Sequence, residues 1–402
     1  MKIDWKQFDE EVLKGVDLCK QINSFGYEAY IVGGCVRDIV LWYKGGQKDD
    51  PSIHDVDIAT NMPIDELYSN FKCESNNGEA HGTILVKNKG VAFEVTQFRV
   101  DGEYTDGRHP DSVKFTKSFK DDTSRRDFTI NAMGIDADGN LIDYHGGEQD
   151  LDNKVLRTVG SAQDRFSEDA LRIVRAIRFA ARFDMNIDED TYEAICNLKG
   201  NIKGLAMERI CAELQKSAEY GIKPFANVIN VLVKSGACDS IDDQYIRWND
   251  CRNIVIDRAK SPGDTSLNKD PMTAMAIVLI SSNNIMAAGK KLRLDTDTIK
   301  LAQFTDENMQ RLDNLTDNLS ASVKMVTSKY FNRFLEVAKA YGYEASDSEL
   351  SAIEDLVDNI LPKQKEISAQ LSKEGYKGPE FGKELSKRME QLYKQAYRGH
   401  ID

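Results

Sequence analysis

From residue 1 to about residue 25 the apolar positions Phe8, Val12, Val16 and Cys19 recur at helical spacing among charged residues, which predicts an amphipathic helix. The pattern then changes to short β-type runs. "GYEAYIVGG" reads as a strand that ends in a glycine turn, and "DVDIAT", "GTILVKNKGVAFEVTQFRV" and "SVKFT" read as further strands. The middle run predicts a hairpin turning at Asn88 to Gly90. "FTINAMGID" and "LIDYH" add β signal between about residues 128 and 145. Beyond about residue 155, β-branched runs become scarce and helical spacing holds nearly throughout. "KSPGDTSLNKDP" (260 to 271) predicts a loop, and "YKGPEFG" (376 to 382) opens a last helix with Pro379 near its start. The expected class is therefore α+β: a head with a small mixed β-sheet, then an all-helical remainder.

Composition narrows this picture in three ways. With 402 residues, the chain is long enough for several modules and more than one core. No apolar run approaches the roughly 18 residues of a membrane span, and the start "MKIDWKQFDEEVLKG" lacks the apolar core of a signal peptide. A cytoplasmic protein that does not engage a membrane is expected. The seven cysteines include no CxxC pair, so reduced thiols are expected rather than a zinc site or a disulfide frame. Net charge is −13, which at first argues against a nucleic-acid partner. The charge is uneven, however. Arginines gather at 125, 126, 165, 172, 175, 178 and 182, acids dominate about 240 to 360, and the last thirty residues turn mildly basic. A local basic groove remains open to this chain.

The chemistry-bearing residues lie mostly in the first half. In "IVGGCVRDIVLWY" (31 to 43), Gly33 and Gly34 let the backbone turn and approach a ligand, and the following helix N-terminus favours an anion. Arg37, one turn on, could reach a phosphate; a plain strand-to-helix turn with a surface Arg–Asp pair explains the same residues. In "SIHDVDIAT" (52 to 60), Asp55 and Asp57 alternate with Val56 and Ile58, so a strand would point both carboxylates to one face. Such a pair, shortly after a turn able to hold a triphosphate, suits two hard cations such as Mg²⁺. Glu94, a charge inside the apolar strand "AFEVTQF", is the candidate third carboxylate or else an exposed strand residue.

GGCVRD and DVD, followed in order by "EAHGTILV", "FEVTQFR", "SRRDFTINAMGID", "LRTVGSAQDRFSEDALRIVRAIRFAARF" and "MERICAEL", resemble the class II tRNA nucleotidyltransferases. These are the CCA-adding enzymes and their poly(A) polymerase relatives. The likeness is close over about residues 25 to 215 and loose beyond. It implies a polymerase-β-like nucleotidyltransferase head (1–155), a helical neck that recognises the base (156–220), a helical body (221–340) and a helical, tRNA-binding tail (341–402). It also implies the addition of C, C and A to tRNA 3′ ends from CTP and ATP, with two Mg²⁺ ions held by Asp55 and Asp57. A poly(A) polymerase, a partial CC-adding enzyme and, more distantly, a nucleotidylyltransferase acting on something other than RNA are the alternatives.

The resemblance assigns further residues. Gly33, Gly34 and Arg37 would hold the triphosphate. The RRDxxxNA pattern would contact the ribose, here Arg125, Arg126, Asp127, Asn131 and Ala132; a 2′-hydroxyl both donates and accepts, which suits an Asp/Arg pair. In "RFSEDALRIVRAIRF", Ser167 is the expected N-cap. Asp169 and Arg172, three apart, would share a helix face. As a protein template, the arginine would donate to N3 of cytosine or N1 of adenine and the aspartate would accept from the exocyclic amine. Guanine and uracil would set donor against donor. Arg175 and Arg178, with Arg182, either line an RNA groove or pair with acids of the head. "DGEYTDGRHP" (101 to 110) matches a flexible loop whose candidate switch residue is Arg108, and His81 in "AHGT" fits the CCA-type pattern. The tail helix, with Phe381, Leu385, Met389 and Leu392 as its buried stripe, either offers Lys377, Lys383 and Lys387 to phosphates or is a plain amphipathic helix. The segment "YKGGQKDDPSIH" exceeds the usual length of the family and predicts a surface loop.

Overall fold

A computed structural model describes residues 1–46, 53, 55–75, 78–102, 112–260 and 269–401. The chain divides into two compact units, residues 1–213 with 234–241, and residues 214–233 with 242–402.

In the first unit the opening helix α1 (Glu10–Ser24) is started by Asp9, whose side chain accepts from Val12 N–H at 3.0 Å. Its apolar stripe, including Val12, Val16, Cys19 and Ile22, is buried. The chain continues through β1 (Ala29–Val32), α2 (Gly34–Lys44), β2 (Asp57–Thr60), α3 (Ile64–Asn70), β3 (Lys72–Glu74), β4 (Thr83–Asn88) and β5 (Val91–Gln97). The ribbon β6 (Arg99–Asp101) and β7 (Val113–Phe115) is followed by α4 (Phe119–Ser124), β8 (Met133–Asp136), β9 (Leu141–Asp143) and α5 (Gly147–Asn153). Among the described residues, seven strands form one sheet in the order β3-β4-β5-β2-β1-β8-β9. Only β2 and β5 within it run parallel. The expected hairpin is present: β4 and β5 are joined by Lys89 and Gly90, at φ 48° and 87°, as a two-residue primed turn requires.

Strand alternation sorts the two faces of the sheet. Tyr30 and Val32 of β1 stand opposite Ala59 and Asp57 of β2 and so share their face. On that face Val32, Ala59, Phe98 and Phe119 form a core with Tyr30 and Ile142, and the Tyr30 and Phe119 rings stack at 4.3 Å. Gly134 lets Phe119 close in, since a Cβ there would lie 2.6 Å from its ring. Asp57 is thus a charge at the end of an otherwise apolar face.

The helical neck in the same unit comprises a short parallel pair, β10 (Val155–Leu156) with β11 (Asn186–Ile187), and helices α6 (Ala162–Glu168), α7 (Leu171–Arg182) and α8 (Glu189–Leu198). Helix α9 (Met207–Ala218) continues past Glu213 into the residues of the second unit. α7 buries Ile173, Val174, Ala176, Ile177 and Phe179, with Phe179 edge-on to Phe128 of the head at 5.7 Å.

The second unit is helical. Its centre is the helix Pro271–Ile280, buried from Thr273 to Ile280 and capped by Asp270 with proline at its first position. Thr296–Asn308 and Phe331–Ala340 pack on it. The final helix, Gly378–Ile401, buries Met389 and Tyr393, while Phe381, Leu385 and Leu392 are half-buried and Lys377, Lys383 and Lys387 exposed. The stripe is therefore centred one turn later than the sequence pattern places it. No described helix is long and apolar enough to cross a membrane.

Candidate active site

The carboxylates come together at the edge of β2. One residue before the register pair Ile58–Val95 stand Asp57 and Glu94, on neighbouring parallel strands and on one face. Burial, then the Glu94 charge, push the Asp57 carboxyl up to about 6; Asp55 adds to the rise and Arg126 opposes it. Gly33, at φ 78°, faces this carboxylate: a Cβ on it would stand 3.1 Å from Asp57 Oδ2. The glycine turn and the acid are thus in close approach, which a side chain at Gly33 would crowd. Its conformation is one that side chains rarely tolerate.

Asp55 corrects one expectation. It precedes the strand, which begins at Asp57, and it takes a left-handed backbone at φ 57°. Strand alternation therefore does not bring the two aspartates together; a turn that aspartate tolerates better than most residues does so. The donor set fits divalent cations. Burial and the neighbouring Glu94 and Asp55 charges raise the cost of ionising Asp57, and a cation seated beside it would offset that cost. Among the described residues no group of three or more His, Cys, Asp or Glu side chains is placed to hold a metal ion by itself.

Arg37 is the second correction. It is only 3% exposed. Its Nη1 donates to Asn131 Oδ1 at 2.7 Å and its Nε to Asp38 at 2.9 Å. Its guanidinium lies over the rings of Phe183 and Phe179, at 4.5 and 5.4 Å. It is a structural cation, sealed by the neck, and a phosphate cannot reach it in this arrangement. The RRD motif continues the same chain of contacts. Asn131 Nδ2 donates to Asp127 Oδ1 at 3.2 Å, and Arg175 grips Asp127 Oδ2 through Nε at 3.0 Å and Nη2 at 2.6 Å. Burial alone would raise the Asp127 carboxyl, but Arg175 and these hydrogen bonds hold it below the usual carboxylate range. Arg125 and Arg126 both bond Asp122. Arg126 Nε is buried and has no hydrogen-bond partner among the described residues.

The segment expected to read the base differs from its expected form. Ser161, not Ser167, caps a helix, accepting from Asp164 N–H. Ser167 lies inside α6 and its hydroxyl donates to the Gln163 carbonyl. The helix stops at Glu168, so Asp169 sits in the joint between α6 and α7, where Oδ1 accepts from Leu171 N–H at 2.9 Å. Asp169 Oδ2 accepts from Arg209 at 3.0 Å. Arg172 donates to Glu168 and to the main-chain carbonyls of Arg165 and Arg125, the last two at 3.2 Å.

Of the remaining arginines, Arg178 is 5% exposed, bonds Glu213 and covers Phe179 at 4.2 Å. Its expected nucleotide contact gives way to a structural ion pair, because the acid facing it is equally buried. Arg182 lies 3.7 Å from Asp38. Arg108 falls outside the described residues. The Arg37–Asp38 pair was one of the two sequence readings, though buried at Arg37 rather than on the surface; the partners Asp122, Glu168, Arg209 and Glu213 were not predicted. For Asp122 the signal was present, since it precedes Arg125 and Arg126 by three and four residues.

Residues 29–157 match the family described as the poly A polymerase head domain. Residues 184–221 match the one described as a probable RNA and SrmB-binding site of polymerase A. The chain is 47% identical over 207 residues to the CCA-adding enzyme of Oceanobacillus iheyensis, covering 52% of this chain and 50% of that protein. To the CCA-adding enzyme of Lactococcus lactis it is 41% identical over 246 residues, 60% of this chain and 59% of the other. The chain thus spans about half the length of the curated relatives it matches. The whole fold resembles the crystal structure of the Bacillus stearothermophilus CCA-adding enzyme in complex with CTP, with a TM-score of 0.69, 23% identity and coverage of 98% and 94% of the two chains. A complex of a CCA-adding enzyme with ATP gives the same TM-score at 20% identity over 98% and 94%.

Proposed function

We propose that this chain, whose residues 29–157 match the poly A polymerase head domain and which is 47% identical over 207 residues to a CCA-adding enzyme, is a CCA tRNA nucleotidyltransferase. It adds C, C and A to tRNA 3′ ends from CTP and ATP without a nucleic-acid template. One observation carries the reading. The Asp57 carboxylate, pushed up by burial and then by the Glu94 and Asp55 charges, lies against the Gly33 turn, in the same unit as Asp169 and Arg172.

The tRNA 3′-hydroxyl attacks the α-phosphate and pyrophosphate leaves. Two Mg²⁺ ions, held by Asp55 and Asp57 with Glu94 beside them, supply activation of the hydroxyl and neutralisation of the triphosphate when bound. Gly33 and Gly34 form the turn against which Asp57 and Arg37 pack, and their main chain is the triphosphate-binding element of this reading. Arg126 places positive charge at the carboxylates, and its unbonded Nε is a donor in reserve for a ligand oxygen. Arg125, Asp127 and Asn131 complete the ribose side. Asp169 and Arg172 accept and donate to the base edge, exchanging Arg209 and Glu168 for cytosine or adenine. Catalysis by this chain is mainly positioning and electrostatics. The division into head (1–155), neck (156–220), body (221–340) and tail (341–402) goes with this reading. The exposed lysines of the tail face tRNA phosphates, and the protein is cytoplasmic.

tRNA transcripts ending at the discriminator base, at C and at CC, incubated with CTP and ATP and then sequenced, test it. Ends that converge on CCA are expected. Open-ended adenosine runs would make the protein a poly(A) polymerase, and arrest at CC a partial adder.

A further inference from the structure

Asp122 belongs to none of the motifs above, yet it is completely buried. It lies in α4, the helix whose Phe119 covers the carboxylate face of the sheet. Its Oδ1 accepts from Arg125 Nε at 3.2 Å, from Arg125 Nη2 at 2.9 Å and from the main-chain N–H of Arg99 at 3.2 Å. Its Oδ2 accepts from Arg126 Nη2 at 3.3 Å. A carboxylate with this many donors is fixed in orientation, and it fixes both guanidiniums in return.

We infer that Asp122 is a positioning residue for the nucleotide site, aiming Arg126 at the carboxylate cluster and tying Arg125 to the base-reading segment of the neck.

Three observations separate this role from plain stabilisation. First, α4 has anchors of its own: Ser118 accepts from Asp121 N–H, and Phe119 stacks on Tyr30. Second, a buried carboxylate joined to two guanidiniums is a poor source of stability compared with apolar packing. Third, both arginines lead onward. Arg126 also donates to the Asn131 carbonyl at 3.3 Å while its Nε stays unbonded, and the Arg125 carbonyl accepts from Arg172 Nη2 at 3.2 Å. One acid therefore orients a free donor near Asp57 and a backbone acceptor that holds Arg172.

The inference rests on the nucleotidyltransferase reading, under which Arg125 and Arg126 face the ribose. The test compares CTP with 2′-deoxy-CTP on a tRNA transcript ending before CCA, using the full chain and the variants Asp122→Asn and Asp122→Glu. Asp122→Asn removes the charge at nearly constant volume. The ratio of kcat/KM for CTP to that for deoxy-CTP is expected to fall at least about tenfold, the scale of one charge-assisted hydrogen bond. Asp122→Glu keeps the charge but displaces it, and its ratio is expected between those of Asp122→Asn and wild type. Should Asp122→Asn not fold, a lowered ratio in Asp122→Glu supports the inference by itself. Ratios equal to wild type in the folded variants, with kcat/KM falling only in step with thermal stability, would overturn it. Wild-type protein that uses both nucleotides equally would instead overturn the ribose-reading assignment on which the inference stands.

Discussion

The carboxylate cluster of the head and the arginine chain that joins head to neck treat charge in opposite ways. Asp57 has Glu94 and Asp55 as like-charged neighbours, and burial together with these charges holds it well above its ordinary range. Arg37, Arg175 and Arg178 each meet an acid or amide at hydrogen-bond distance, and aromatic rings cover them. Uncompensated like charge at the end of a sheet costs folding energy and serves a ligand. Compensated charge under rings serves the architecture. The contrast separates residues that a motif search presents as equals.

The largest effect that can break this contrast is on Asp57. Asp57→Asn is expected to lower nucleotide incorporation by roughly three orders of magnitude, the scale of losing a central electrostatic element, while the protein stays folded. The stability change has a definite sign. The folded carboxyl is pushed up to about 6, above the ordinary aspartate range, so the folded state binds its proton more tightly. Stability then falls as pH rises through this window. With EDTA present, Asp57→Asn should melt above wild type at pH 8, and the gap should close below about pH 4. A variant less stable than wild type at pH 8 would mean that Asp57 is compensated after all.

Asp127 should behave in the reverse sense. Asp127→Ala leaves the Arg175 guanidinium and Asn131 without their acceptor, and breaking one side of a buried pair costs about 3–5 kcal/mol. Urea unfolding of the full chain measures it. Because this acid is held below its usual range, its contribution is present at neutral pH and is lost as pH falls below about 4. A loss under 1 kcal/mol would remove the arginine chain from the architecture.

Arg172 sharpens the comparison, since it is paired and yet assigned to recognition. Arg172→Ala should reduce discrimination of CTP against UTP by about 10- to 100-fold, the worth of a good base-edge contact, with a smaller loss in the rate for CTP. Unchanged rejection of UTP would return Arg172 to the structural class. The smallest effect is expected at the tail. Lys383→Ala with Lys387→Ala should weaken tRNA binding and lower the slope of log K against log salt by about 1–2. An unchanged slope would place these lysines outside the tRNA path.

What the sequence made legible follows the same division. The β4–β5 hairpin could be read because Lys89 and Gly90 supply the only two-residue turn that its alternation permits. The glycine turn at Gly33 and the acid within β5 were readable because each breaks a local pattern. Long-range pairing was not readable. Nothing near Arg37 announces that Phe179 and Phe183, more than a hundred residues on, will cover it. The run "RFSEDALR" reads as one helix from Ser167, because either serine is an acceptable cap. Only the packing of α6 selects Ser161 and leaves Asp169 in the joint. Asp55 was expected in the strand and stands in a left-handed conformation two residues before its first residue, since alternation cannot distinguish a strand from such a turn at its start.

The central claim is that the uncompensated carboxylates are the seat of nucleotide transfer. Pyrophosphate release from CTP with a tRNA transcript lacking CCA, in Mg²⁺ buffer, tests it most directly on full-length wild type and Asp55→Ala. Asp55→Ala with a wild-type circular dichroism spectrum should release pyrophosphate no faster than a protein-free control. Near-normal turnover by that variant would contradict the account.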